Sequence, residues 1–401
     1  MLHRSTVGKL TLSTFLFAVP LNSALAQDAS AIADRLQAVL KTQSMDLSWD
    51  SVTGDASQTV LQGAKLTVQG PDAPKALPLG KLTLTGVTET DNGGYHIDKV
   101  TTDPYEITEK GSTITSSPVE IGGLVLPGAA ATDPLESVML YETLDVDTFS
   151  VKVDGKQAFA LNQMHVELTP PTAGATMDFS ANVEKFTGDL SLVTDPNAKR
   201  IIDELGYKTI DGFFEAEGSW QPSDGRMQLS QYDVTVNNAG TLGMTFDVGG
   251  YTLDFLKSVQ ELQKKMADQP KGADTNAQSM AMLGLMQQLT LAGATIRFDD
   301  DSLTGKVLDY VAKQQGAKPE DIANQAKAIL PFLSGQLQNP ELAKQLSAAV
   351  NTYLDDPQSL EIAAKPASPV PFAMIAANAM SNPVELTKTL AVSVMANQAA
   401  E

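Results

Sequence analysis

The chain has 401 residues, 28 Lys and Arg against 48 Asp and Glu, a formal charge of −20, and no cysteine. An acidic surface repels phosphate backbones, so nucleic-acid binding is disfavoured. Without disulfides, stability must come from a packed core, and the length suffices for one large domain or two smaller ones.

At the N-terminus, Arg4 and Lys9 flank or precede a short apolar run over 10–21, and Ala24-Leu25-Ala26 supplies small residues at a cleavage position. That run is shorter than the roughly 20 residues a membrane-spanning helix needs. The pattern predicts a signal peptide over residues 1–26, cleaved after Ala26, and export to the periplasm with no retained transmembrane anchor. No cysteine follows the cut, which excludes a lipid-anchored lipoprotein.

Residues 27–250 are read as a β-rich antiparallel region. Phe149, Val151 and Val153 alternate with polar residues before an Asp154-Gly155 turn. Met177, Phe179, Ala181 and Val183 do the same, as do Leu242, Met244, Phe246 and Val248. Period-two alternation marks strands with one oily and one wet face. Pro222-Ser223-Asp224-Gly225 and Asn237-Asn238-Ala239-Gly240 are turn clusters between successive strands. Between them the phase slips from Met227 and Leu229 to Tyr232, Val234 and Val236, which predicts a bulge near Ser230.

Residues 251–401 are read as helix-rich. Phe255, Leu256, Val259, Leu262 and Met266 share one helical face, as do Met282, Leu285, Met286 and Leu289, with a turn-rich loop between them. Asp133-Pro134, Asp195-Pro196, Asn339-Pro340 and Asn382-Pro383 each pair a capping side chain with a first-turn proline. Gly206 and Gly316 are expected helix stops. LTLAGATIRF, SLEIAA and LAVSVMAN read as strands returning to the sheet. The fold class that follows is α+β: a long antiparallel β-meander with C-terminal helices packed on it, in one continuous domain. Two domains meeting near Gly250 are the alternative.

Three consecutive aspartates, Asp299, Asp300 and Asp301, invite a metal reading. Counted as an EF-hand loop, Leu303 and Tyr310 fall where ligands belong, so the pattern fails. The triplet fits a helix start instead, with Asp301 or Ser302 as the cap and Leu303, Val307, Leu308 and Val311 on the buried face. His96 and His165 are the histidines outside the leader, too few for an ordinary zinc site, and no G-x-S-x-G elbow is present. His96 shares a strand face with Asp98, and Asp145 with Asp147. No catalytic residue, metal or cofactor is assigned.

The methionine-rich run SMAMLGLMQQL carries the remaining ligand candidates, Met280, Met282, Met286 and Leu289. They either form a lid over an apolar groove in the sheet or fill a helix–sheet interface. KPASPVPF, with three prolines, is read as a stiff connector.

The run from GYKTIDGFFEAEGSW through VNNAGTLGMTFDVGGYT, with DDSLTGKVLDYVAKQQG and DDPQSLEIAAKPASPVPF, resembles uncharacterised secreted proteins of alphaproteobacteria. The short-strand meanders are also similar to AsmA-like envelope proteins, whose long curved sheets carry or shield lipids. That resemblance implies an envelope location and an apolar ligand, and supplies no functional residue. The expected function is a non-catalytic exported protein that holds a lipid-like or other apolar ligand between sheet and helices. A structural or protein-interaction role in the periplasm, and a hydrolase with a site near His96 or His165, are the alternatives.

Overall fold

The computed structural model describes residues 28–68, 76–131, 135–170, 175–267, 275–335 and 339–399. The segment read as a leader, the Asp133-Pro134 start and most of the turn-rich loop before the methionine run lie outside them.

The first described element was not foreseen. Helix α1, Ala29–Thr42, starts where the Asp28 carboxylate accepts the Ser30 amide hydrogen at 2.9 Å. Its Ile32, Ala33, Leu36 and Val39 recur at helical spacing and are buried. They roof the first part of the sheet: β1, Met45–Ser48; β2, Ser51–Gly54; β3, Gln58–Val68; β4, Leu77–Glu89; and β5, Tyr95–Thr101. Leu47, Leu61, Leu82, Leu84, Val87, Ile97 and Val100 close this core beneath the helix. The region read as β-rich thus owes its main core to an N-terminal helix.

The chain then inserts a hairpin, β6, Tyr105–Glu109, and β7, Ser112–Ser116, before β8, Val119–Leu126. β8 pairs with β5 and with one end of β9, Thr143–Val153, whose other end pairs with β7. From there the sheet is a meander: β10, Lys156–Thr169; β11, Met177–Asp189; β12, Thr209–Gln221; β13, Arg226–Val236; and β14, Gly240–Gly249. Each is antiparallel to the one before. Glu217 pairs with Gln231 and Gly218 with Leu229, so Ser230 is the extra residue of a bulge, as the phase slip predicts.

Pairing continues without a break past Gly250. β15, Thr290–Asp300, pairs with β14; β16, Ser359–Ala364, and β17, Val370–Pro371, pair with β15; and β18, Val392–Ala396, pairs with β16. The three returning strands therefore extend the same antiparallel sheet, which has 18 strands among the described residues.

The remaining helices are α2, Pro196–Leu205; α3, Leu253–Ala267; α4, Thr275–Met286; α5, Leu303–Gln315; α6, Pro319–Gly335; α7, Pro340–Asp355; α8, Phe372–Ser381; and α9, Pro383–Thr389. Asp195, Asn339 and Asn382 cap α2, α7 and α9 through their side chains, each with proline in the first turn. Gly206 and Gly316 end α2 and α5 in the left-handed region, at φ 79° and 63°. A second core forms where Leu342, Ala349 and Tyr353 of α7 pack on Val394 and Ala396 of β18.

Two details of the α5 start need correction. Ser302 makes no side-chain cap bond; the carboxylate of Asp300, the last residue of β15, accepts the Thr304 amide hydrogen at 2.8 Å. Val307 is exposed rather than buried, and Ala312 is the buried residue of α5. The Ser302 hydroxyl instead donates to the Asn238 carbonyl, which ties the helix to the β13–β14 turn.

Candidate functional site

Residues paired directly across strands share a face. Following register from β8, one row runs Val119, Val146, Met164, Val183, Phe214, Val234, Leu242, Phe298, Leu360 and Ala396. A second starts in the α1-roofed end: Leu84, Val100, Ile121, Leu144, Val166, Ala181, Ala216 and Tyr232. A third is Leu168, Phe179, Gly218, Leu229, Phe246, Ala294, Ala364 and Val392. All three are apolar throughout. At ~4.8 Å per strand, the face runs about 50 Å along the sheet from β4 to β18.

Local packing keeps this face filled. Phe214 and Tyr232 meet edge-on with ring centroids 5.1 Å apart. The Phe179 ring lies over Gly218, where a Cβ would collide with it. Trp220 and Tyr251 meet edge-on, and the Trp220 indole N–H donates to the Tyr251 carbonyl at 2.8 Å.

Among the described residues, helices cover the two ends of the face and not its full length. The C-terminal helices expected to pack on the sheet leave β14 partly open: the four residues Leu242, Met244, Phe246 and Val248 share the apolar face, yet Leu242 is 43% exposed. Next to Met244, Ile296 of β15 and Ile362 of β16 are paired and 53% and 50% exposed. Large aliphatic side chains are left in water within a continuous apolar track, toward its β18 end.

The opposite face is polar. Its row reads Glu120, Asp145, His165, Asn182, Glu215, Asp233, Gly243, Arg297 and Glu361. A shallow depression of about 420 Å³ on this side is lined mainly by Glu167, Asp178, Ser180, Glu217, Ser219 and Ser230. Lys99 pairs with Glu120 at 2.6 Å. Arg297 chelates Asp299 at 2.7–3.0 Å, reaches Glu361 at 3.3 Å, and donates to the Gln398 carbonyl at 2.9 Å. Hydrogen bonding to Asp299 holds the guanidinium above its ordinary pKa, against a lesser opposing effect of burial. This network pins the C-terminal segment to β15 and β16.

Of the acidic triplet, Asp299 serves Arg297, Asp300 caps α5, and the Asp301 amide hydrogen goes to the Ala239 carbonyl. Among the described residues, no group of three or more His, Asp or Glu is arranged to hold a metal ion. His96 lies 3.6 Å from Asp98 on its own strand. His165 Nδ1 lies 2.6 Å from Asp145 Oδ1, a cross-strand pair that spacing alone did not reveal. On its other side His165 faces Asn182, which is no nucleophile.

Helix α4 packs on α3 and α8, next to the start of β15. Met280 is 71% exposed and Met282 48%, while Met286 is half-buried and Leu285 is the buried residue. Leu289 lies beyond the helix end, half-buried, and its carbonyl accepts the Phe372 amide hydrogen at 3.0 Å.

Among the described residues, no helix is long and apolar enough to cross a membrane. A family model described as "Uncharacterized protein" matches residues 233–397, from within β13 to just past β18. That match spans the part of the apolar face where Leu242, Ile296 and Ile362 lie. No curated protein matches the chain.

Proposed function

We propose that this is an exported, non-catalytic envelope protein of the periplasm that holds a lipid-like ligand along the apolar face of its sheet. The observation that carries this reading is the unbroken apolar row from Val119 to Ala396, with Leu242 exposed in it and Ile296 and Ile362 exposed in the row beside it, toward the β18 end. Fully covering a large aliphatic side chain is worth roughly 1.5–3 kcal/mol, and about half of that remains for side chains already half covered, so an acyl chain laid across several of them gains enough to remain bound. The wet face, lined by carboxylates, gives such a chain no comparable gain. The leader-like N-terminus and the resemblance to AsmA-like proteins support the location and the ligand class. Met280, Met282, Met286 and Leu289 belong to the ligand path in this reading, beside the start of β15 where the apolar face meets α4.

Native mass spectrometry of the gently purified chain tests it. Co-purifying lipid, and a lipid-induced rise in Tm that Ile296→Glu and Ile362→Glu abolish, are expected. A chain that is always free of lipid, with no lipid-induced shift, contradicts the reading and favours a protein-interaction role.

A further inference from the structure

The helical end beside β15 carries a second apolar surface. No Asp, Glu, Lys or Arg occurs between Asp274 and Arg297, nor between Lys365 and Glu385, although 19% of the chain is charged. The fold brings these two neutral stretches together, because α4 packs on α8 and the start of β15 pairs with β17. Met280, Met282 and Leu283 of α4, and Met374 and Met380 of α8, are exposed, Met380 by 91%. From Met280 to Met286 α4 has no polar side chain; such an apolar stretch is ordinarily buried in a core or in lipid, yet Leu285 is the one buried residue among these seven.

The chemistry of this surface selects its occupant. Hot spots of protein interfaces are enriched in Trp, Tyr and Arg, and neither neutral stretch contains one. Here the exposed large side chains are four methionines and one leucine, flexible groups suited to a fluid apolar phase. Charge points the same way: a chain of net charge −20 is repelled by anionic headgroups, and this neutral end is where a bilayer can approach it. The surface is also continuous with the ligand face. Trp220, Met227, Val248, Leu291 and Val370 form an apolar row that ends two residues before α8 begins.

We propose that the α4–α8 end docks on a zwitterionic lipid bilayer, with Met280, Met282, Leu283, Met374 and Met380 entering the headgroup–acyl boundary. Such insertion reaches about 5–10 Å into the leaflet and needs no spanning helix. Docking there brings Leu291 and Val370, and through them the apolar track, to the membrane surface. The inference rests on the proposed ligand face for its purpose and not for its geometry.

Flotation of the full chain with neutral phosphatidylcholine vesicles tests it, alongside the chain carrying Met280→Glu, Met374→Glu and Met380→Glu together. These positions are exposed, and unchanged circular dichroism confirms that the triple variant folds. The unsubstituted chain is expected to float, with little dependence on salt, and the triple variant to lose at least tenfold in partitioning. Addition of anionic lipid should weaken flotation. A chain that stays with the bulk solution, or a triple variant that floats equally well, overturns the docking. So does a vesicle-free dimer that the triple variant converts to monomer, which would make this surface a contact between two copies. Flotation by a chain that never retains lipid would uphold docking while contradicting the ligand face; retained lipid without flotation would do the reverse.

Discussion

Asp300 and Thr304 are joined by a 2.8 Å hydrogen bond from the Thr304 amide to the Asp300 carboxylate, which links the last residue of β15 to the first turn of α5. The same aspartate therefore ends a strand and starts a helix. Asp300→Ala should cost about 1 kcal/mol, the usual value of a lost N-terminal cap. Asp301→Ala, one residue later, should stay within about 0.5 kcal/mol. Urea denaturation of the two variants distinguishes them, and equal losses would mean that Asp300 is not the cap.

Arg297 is mostly buried and pairs with Asp299 and with buried Glu361. Arg297→Leu leaves the Glu361 carboxylate without its cation, and a loss of about 3 kcal/mol is expected. Replacing both Arg297 and Glu361 with leucine should recover part of that loss, because the stranded charge goes too. A double variant less stable than Arg297→Leu alone would show that the pair contributes net stability beyond its burial cost.

Burial pushes the Tyr353 phenol above its ordinary pKa, partly offset by its bond to the Thr304 hydroxyl, with Asp300 adding to the rise. A raised folded-state pKa favours the neutral form in the native state. The stabilisation is fully present below the unfolded value of about 10 and is lost as pH rises through the folded value. Tm should fall more steeply above pH 10 in the unsubstituted chain than in Tyr353→Phe. Parallel alkaline profiles would contradict this.

The His165–Asp145 pair lies on the polar face and both side chains are about 40–45% exposed. A double-mutant cycle with alanine should give a coupling below about 1 kcal/mol. His165→Ala should leave lipid retention unchanged, since the ligand face is the other side of the sheet. Loss of retention on this substitution would move the site to the polar face.

Much of the meander was legible in the residues. Alternation over Met227 to Val248, interrupted at Ser230, gave strands, turns and bulge together, because a period of two leaves no other way to keep one face oily. Proline after a capping Asp or Asn likewise located α2, α7 and α9. Coverage was not legible: alternation says which way Leu242 points, not whether a helix lies over it. The sheltering helix α1 was readable from Asp28 and the spacing of Ile32, Leu36 and Val39, but its short polar surroundings gave it no prominence. Asp145 and His165 meet because β9 and β10 pair in one register, and two strands on either side of a turn can slide in several. Met280 and Met282 fitted a helix interior by composition; their exposure depends on where α8 packs, which is set by β17 joining β15.

Photo-crosslinking with a diazirine-bearing fatty acid, read by peptide mass spectrometry, tests the central claim most directly. Labels are predicted on the apolar rows around Leu242, Ile296, Phe298 and Ile362, and not on the Asp145, His165, Asn182 and Glu215 row. Labelling concentrated on that polar row, or no labelling above that of the unfolded chain, would contradict the account.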